Sequence, residues 1–213
     1  SDTVGDWKFD KKRFPKGVKP FRDLVHEKGM LWGLWMDAER IGSKSKIFKA
    51  HPQWLAVAYD GEKSLGNMLD LTKPEVAKWM EEQIIRVVNE NELDFFRLDY
   101  NVGHIAAGLH SIKDGFVENG YWRYYEALYG VYDRIRKRFP DLILENCAGG
   151  GGRTDIGMIR RFSHTWVTDW QLAPRSFTIT NGMTMALPPE YVDRLIAGQN
   201  GHLSGDLDFQ LRL

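Results

Sequence analysis

One cysteine, Cys147, in 213 residues excludes an intramolecular disulfide and any zinc site that needs several thiolates. Charge of one sign is also lacking. The 29 Lys+Arg balance 29 Asp+Glu, so nothing in the charge argues for a nucleic-acid or polyanion partner. No run approaches the ~20 apolar residues of a membrane helix, and the polar first ten residues do not read as a signal peptide. The expectation is a cytoplasmic protein with no membrane contact. There is no GxGxxG followed by a ribose-binding acid, no GxxxxGK[ST] and no HExxH, which removes the dinucleotide, P-loop and zinc-hydrolase readings. The six histidines are scattered and suggest no metal pair. Neither metal nor cofactor is expected.

What the chain does have is apolar mass, 43% hydrophobic residues with eight Trp, enough for a sizeable core. Residues 1–213 read as a single catalytic domain. The missing initial Met and the apolar-periodic end at 206–213 suggest a piece truncated at both ends.

Hydrophobic periodicity then orders the chain. A helix is expected over 19–28, with Phe21, Leu24 and Val25 inward, and a buried strand over 30–36. Extended pieces are expected at 51–59 and 67–71. Thr72 should cap a helix that starts with Pro74 and Glu75 and buries Val76, Trp79, Met80, Ile84, Val87 and Val88. A strand over 94–99, a helix over 120–138, a strand over 142–147, a short helix through Ile156 and Ile159 and a strand over 164–169 complete the readable part. Residues 177–187 fit either helix or strand.

Alternating strands and helices imply a parallel α/β sheet. Polar residues recur at strand C-terminal ends: Asp37, Asp70, Asp99 with Asn101, Cys147 and Asp169. A (β/α)8 TIM barrel brings all such ends to one mouth, so the barrel is favoured over a doubly wound sheet. Such a barrel usually needs ~250 residues, hence a short or incomplete one.

Asp99 and Asp169 are the first candidates for chemistry, because glycoside hydrolysis uses two carboxyl groups facing one sugar. Arg97, two residues before Asp99, should keep that carboxylate ionised, as a nucleophile requires. Trp166 and Trp170 should wall Asp169 with apolar surface and raise its pKa, as a proton donor requires. Asp at strand ends also caps loops without any catalytic role. Trp32, Trp35, Trp54, Trp166 and Trp170 are available as sugar platforms. The run of glycines at 149–152 should leave backbone N–H groups open to a ligand.

The motifs Phe-Arg-Leu-Asp-Tyr-Asn at 96–101, Glu-Asn-Cys-Ala-Gly-Gly-Gly-Gly-Arg at 145–153 and Thr-Asp at 168–169 resemble glycoside hydrolase family 36, the α-galactosidase (melibiase) family. So do Gly-Asp-Trp at 5–7, Gly-Leu-Trp-Met-Asp-Ala-Glu at 33–39, His-Pro-Gln-Trp at 51–54 and Leu-Asp-Leu-Thr-Lys-Pro-Glu at 69–75. They occur in the family's order along nearly the whole chain.

The resemblance implies a barrel entered at about its third strand, and a retaining mechanism with Asp99 as nucleophile and Asp169 as acid/base. It implies sugar contacts from Trp35, Asp37, Arg97, Asn101, Cys147, Gly150 and Trp170. Arg97 stands where the family has lysine, Asp37 where it has glutamate, and Trp170-Gln171 where a small or polar pair is usual, so the branch is divergent. The expected partner is an oligosaccharide or glycoside, with a homo-oligomer open for the full-length protein. A transglycosylase, a Mg²⁺-dependent barrel lyase or racemase using Asp99, Glu145 and Asp169, and a carbohydrate-binding remnant without turnover are the alternatives.

Overall fold

The computed structural model describes residues 2–57, 64–101, 111–113, 116–118, 120–170 and 174–195. His104, His110, His202, Gln171 and the run 206–213 lie outside the described residues. Two compact units divide the chain, one within Ser1–Phe96 and Tyr100–Leu142, the other within Arg97–Asp99 and Ile143–Leu213.

The first unit begins with α1 (Lys19–Glu27), β1 (Gly33–Met36), α2 (Lys46–Ala50) and β2 (Leu55–Val57). β3 (Ser64–Leu69), α3 (Pro74–Asn91) and the first half of β4 (Phe95–Leu98) follow. β5 (Ser111–Lys113), β6 (Phe116–Glu118) and α4 (Gly120–Arg138) complete it. α3 and α4 form as their 3.6-residue spacing demands. Val76, Met80 and Ile84 on one, and Tyr124, Leu128, Val131, Tyr132 and Ile135 on the other, are almost or wholly buried. Each such side chain contributes ~1.5–3 kcal/mol over leaving it exposed. Arg134 clamps the pair through both oxygens of Glu81, at 2.7–3.1 Å.

Several expectations shift. Thr72 is not the cap of α3. Its hydroxyl and N–H donate to Asp70 Oδ1 at 2.5 and 3.2 Å, and Lys73 takes the N-cap position. Asp70 therefore organises the start of the helix. Residues 67–71 are not a parallel strand either, since β3 pairs antiparallel with β2, Leu69 opposite Leu55. Phe21 and Leu24 of α1 are about half exposed, and Arg22 is the buried residue, held by Asp23 and by Glu92 at 2.6 Å. Met30 and Leu31 also stay exposed, so the strand shortens to β1, of which only Met36 is buried.

The second unit joins the end of β4 to β7 (Ile143–Asn146), α5 (Ile156–Ile159), β8 (His164–Trp166), α6 (Arg175–Met183) and β9 (Val192–Asp193). Its strand order is β4-β7-β8-β9. β7, β8 and β9 run parallel, with Glu145 opposite His164 and Trp166 opposite Asp193. The ambiguous stretch 177–187 is helix as far as Met183 and turn beyond it, while β9 and the β5–β6 hairpin carry no clear sequence signal. Leu98, Leu144, Met158 and Thr165 are wholly buried. Asn146 Nδ2 ties Thr165 Oγ1 at 3.0 Å and Arg153 O at 2.9 Å, which anchors the glycine loop to β7 and β8. Among the described residues no helix is long and apolar enough to cross a membrane.

Candidate active site

In the second unit two carboxylates flank one loop. Asp99 leaves β4 buried, at 8% exposure, and its Oδ1 accepts the N–H of Gly149 at 3.2 Å. Asp169, exposed, follows β8 and backs onto Gly150. A Cβ at Gly150 would lie 2.6 Å from Asp169 N, 2.7 Å from its Cγ and 2.9 Å from Oδ2. Adjacent residues of the loop thus meet the two acids. Gly150 has φ +77°, and Gly151 has φ +102° with its would-be Cβ 2.2 Å from Val167 O, so both sites require glycine.

The N–H groups of Gly149, Gly150 and Gly152 are engaged within the protein. Gly149 donates to Asp99, Gly150 to the Cys147 thiol, and Gly152 to Ala148 O at 2.8 Å. Burial pushes that thiol up to about 11, which leaves Cys147 a neutral acceptor and not a nucleophile.

Arg97 forms its ion pair with Glu145, Nη1 to Oε1 at 2.9 Å, while Nη2 donates to Cys147 Sγ at 3.3 Å. The guanidinium lies 4.2 Å from the centre of the Trp166 ring. Asp169 likewise meets Trp166 through an N–H and not through an apolar wall: Nε1 donates to Oδ1 at 2.8 Å. The indole N–H needs an acceptor, and this carboxylate supplies it. Trp170, at 45% exposure, turns outward beneath Arg175, whose guanidinium carbon is 4.5 Å from its ring centre.

Three predicted residues belong to the first unit. Trp35 is 48% exposed. Asp37 is wholly buried, its Oδ2 held by Arg40 Nε at 2.6 Å and by Asn101 Nδ2 at 3.4 Å. The neighbouring Glu39 accepts the Tyr124 hydroxyl.

The sequence reading passed over His164 and Asp193, which with Glu145 form a compact group with ligand atoms within 4.8 Å of one another. The metal set of the alternative reading, Asp99, Glu145 and Asp169, is not grouped in this way among the described residues. Only strand register brings β7, β8 and β9 side chains together, and no local motif announces it.

Asp99 follows β4 and Asp169 follows β8, strand-end positions of the kind that a barrel brings to one face. The chain matches the Melibiase family profile over residues 1–205 and belongs to that family, glycoside hydrolase family 36. Alpha-galactosidase 2 of Pediococcus pentosaceus is 30% identical over 214 residues, covering 99% of this chain and 30% of that protein. The crystal structure of the GH36 alpha-galactosidase AgaA from Geobacillus stearothermophilus superposes with a TM-score of 0.85 at 27% identity, over 97% of this chain and 30% of that one. An AgaA variant in complex with raffinose gives a TM-score of 0.85 at 26% identity, again over 97% and 30%. The chain spans about 30% of the length of the curated relatives it matches. The expected family and the α/β fold of a partial barrel are therefore met.

Proposed function

We propose that the protein carrying this chain is a retaining glycosidase that removes a terminal α-linked galactose-type sugar by double displacement. Asp99 is the nucleophile and Asp169 the acid/base. The observation that carries the proposal is the loop at Gly149 and Gly150, which touches one carboxylate with each residue. Two acids beside one loop of a parallel sheet suit a reaction in which one carboxyl attacks C1 and the other protonates the leaving oxygen.

Each acid accepts an N–H, so the division of roles rests on solvent access, Asp99 being buried and Asp169 exposed. Asp99 accepts a backbone N–H, which favours its charged form. Asp169 Oδ1 faces an indole N–H, a group that can only donate. Its mobile proton therefore belongs on Oδ2, and the same oxygen gives the proton to the leaving group and recovers it from water.

Arg97, Cys147, Gly150 and Trp170 are proposed as sugar contacts of this unit. The roles of Trp35, Asp37 and Asn101 rest on motif alone. AgaA's complexes with stachyose and raffinose support an α-galactosyl oligosaccharide as substrate. A lone cysteine needs no oxidising compartment, so a cytoplasmic location belongs to the proposal.

The test is Asp99→Gly in the full-length protein with p-nitrophenyl α-galactoside. The variant should lose ~10³-fold or more in kcat, in the range of other lost nucleophiles. Azide should restore turnover as a galactosyl azide. Full activity without azide would remove Asp99 from the role.

A further inference from the structure

The proposed chemistry leaves a row of charged side chains on β7, β8 and β9 without a task. His164 Nε2 lies 3.2 Å from Glu145 Oε2 and 2.9 Å from Asp193 Oδ2. One ring nitrogen facing two carboxylates must carry a hydrogen. The other oxygen of Glu145, Oε1, holds Arg97 Nη1 at 2.9 Å. Arg97 is thus gripped on three sides, by Glu145, by the Cys147 sulfur and by the Trp166 ring.

We propose that His164 and Asp193 are positioning residues for Arg97: they lock Glu145, and Glu145 aims the guanidinium at the sugar. This rests on the α-galactosidase reading and deepens it, since Arg97 is the sugar contact that departs from the family's lysine.

Charge supports the assignment. Glu145 and Asp193 bring two negative charges, Arg97 and protonated His164 two positive ones. Burial pulls the imidazole's pKa down, but the hydrogen bonds and charges of Asp193 and Glu145 outweigh it and lift it to about 9. Burial raises the Glu145 carboxyl, against the hydrogen bond from His164 and the charge of Arg97. The imidazolium and the guanidinium both oppose that rise and so favour the carboxylate that holds Arg97. A long arginine side chain left loose loses the fixed fork that makes it a better hydroxyl reader than lysine. The same three donors could instead hold a divalent ion. That ion would have to displace the His164 proton beside a guanidinium.

The test is a double-mutant cycle in the full-length protein, with p-nitrophenyl α-galactoside. His164→Gln removes the charge and keeps a donor. It should raise KM about tenfold with kcat changed less than about threefold, as expected when ground-state and transition-state contacts are lost together. Arg97→Met should raise KM at least as far, and adding His164→Gln to it should cost nothing more. Additive penalties, or an unchanged KM in His164→Gln, would overturn the positioning role. So would one equivalent of tightly bound divalent metal in the purified protein that His164→Gln abolishes. If His164→Gln fails to fold, Asp193→Asn enters the same cycle and is read the same way. A parent protein with no activity on any α-galactoside overturns the functional reading itself. An azide-rescued Asp99→Gly beside an additive cycle overturns only the role of His164 and Asp193.

Discussion

Gly150→Ala tests the proposed acid/base without touching a charged group. The alanine methyl must enter space where Asp169 N stands at 2.6 Å and Asp169 Cγ at 2.7 Å. The backbone must also hold φ +77°, which costs a non-glycine residue roughly 1–2 kcal/mol. A carboxylate could swing away, but the neighbouring atom at 2.6 Å is backbone nitrogen, so the end of β8 must move with it. Relief to ordinary contact needs ~0.5–1 Å, and a misplacement of about 1 Å costs on the order of 10²-fold in a positioned reaction. The loss should depend on the leaving group, because a proton donor matters most where the departing oxygen is basic. Raffinose should lose ~10²-fold in kcat/KM and an activated nitrophenyl galactoside ~10-fold or less. Gly182→Ala in α6 is the control, since nothing lies within 4 Å of its added methyl. Equal losses on both substrates, or none at unchanged thermal stability, would refute the assignment of Asp169 as the proton donor.

The remaining predictions concern titration. The His164 pKa of about 9, against about 6.5 unfolded, favours the charged ring in the folded state. Its contribution, about 3 kcal/mol, is full below pH ~6.5 and disappears as pH rises through ~9. The thermal midpoint should therefore fall between pH 6.5 and 9.5 in the natural protein and far less in His164→Gln. An equal fall in both would disprove the linkage. With its thiol near 11, Cys147 carries a thiolate fraction of only ~10⁻³ at pH 8. Peptide mapping after iodoacetamide should find Cys147 untouched in the native protein and fully alkylated in urea, and rapid native labelling would contradict its burial.

Much of the architecture could be read from spacing because α3 and α4 each carry one uninterrupted apolar stripe. The acids were legible for a similar local reason: Asp99 and Asp169 follow short strands and lie within recognisable motifs. What depended on neighbours across the sheet was not legible. Residues 67–71 look like any apolar strand, and only pairing with β2 makes them one arm of a hairpin. Phe21, Leu24, Met30 and Leu31 have the composition of buried positions, yet lie exposed while Arg22 is covered by its ion pairs. Arg97 sits two residues from Asp99, but its ion-pair partner Glu145 lies one strand away and no local spacing announces it. His164 and Asp193, far apart in sequence, meet only through parallel register.

The contrast between the two acids gives the proposed roles a direction. A retaining acid/base must exchange its proton with water in every cycle, whereas the nucleophile never needs one. Asp169 is open to solvent, with one oxygen committed to an indole N–H and the other free of that donor. Asp99 is buried, where a carboxylate is costly unless a donor supports its charge, and the Gly149 N–H provides that donor. Exchanging the roles would leave the proton carrier shut away from water and the attacking group hydrated. The glycine loop meets both acids: it gives an N–H to the proposed nucleophile and leaves out a side chain beside the proposed acid/base.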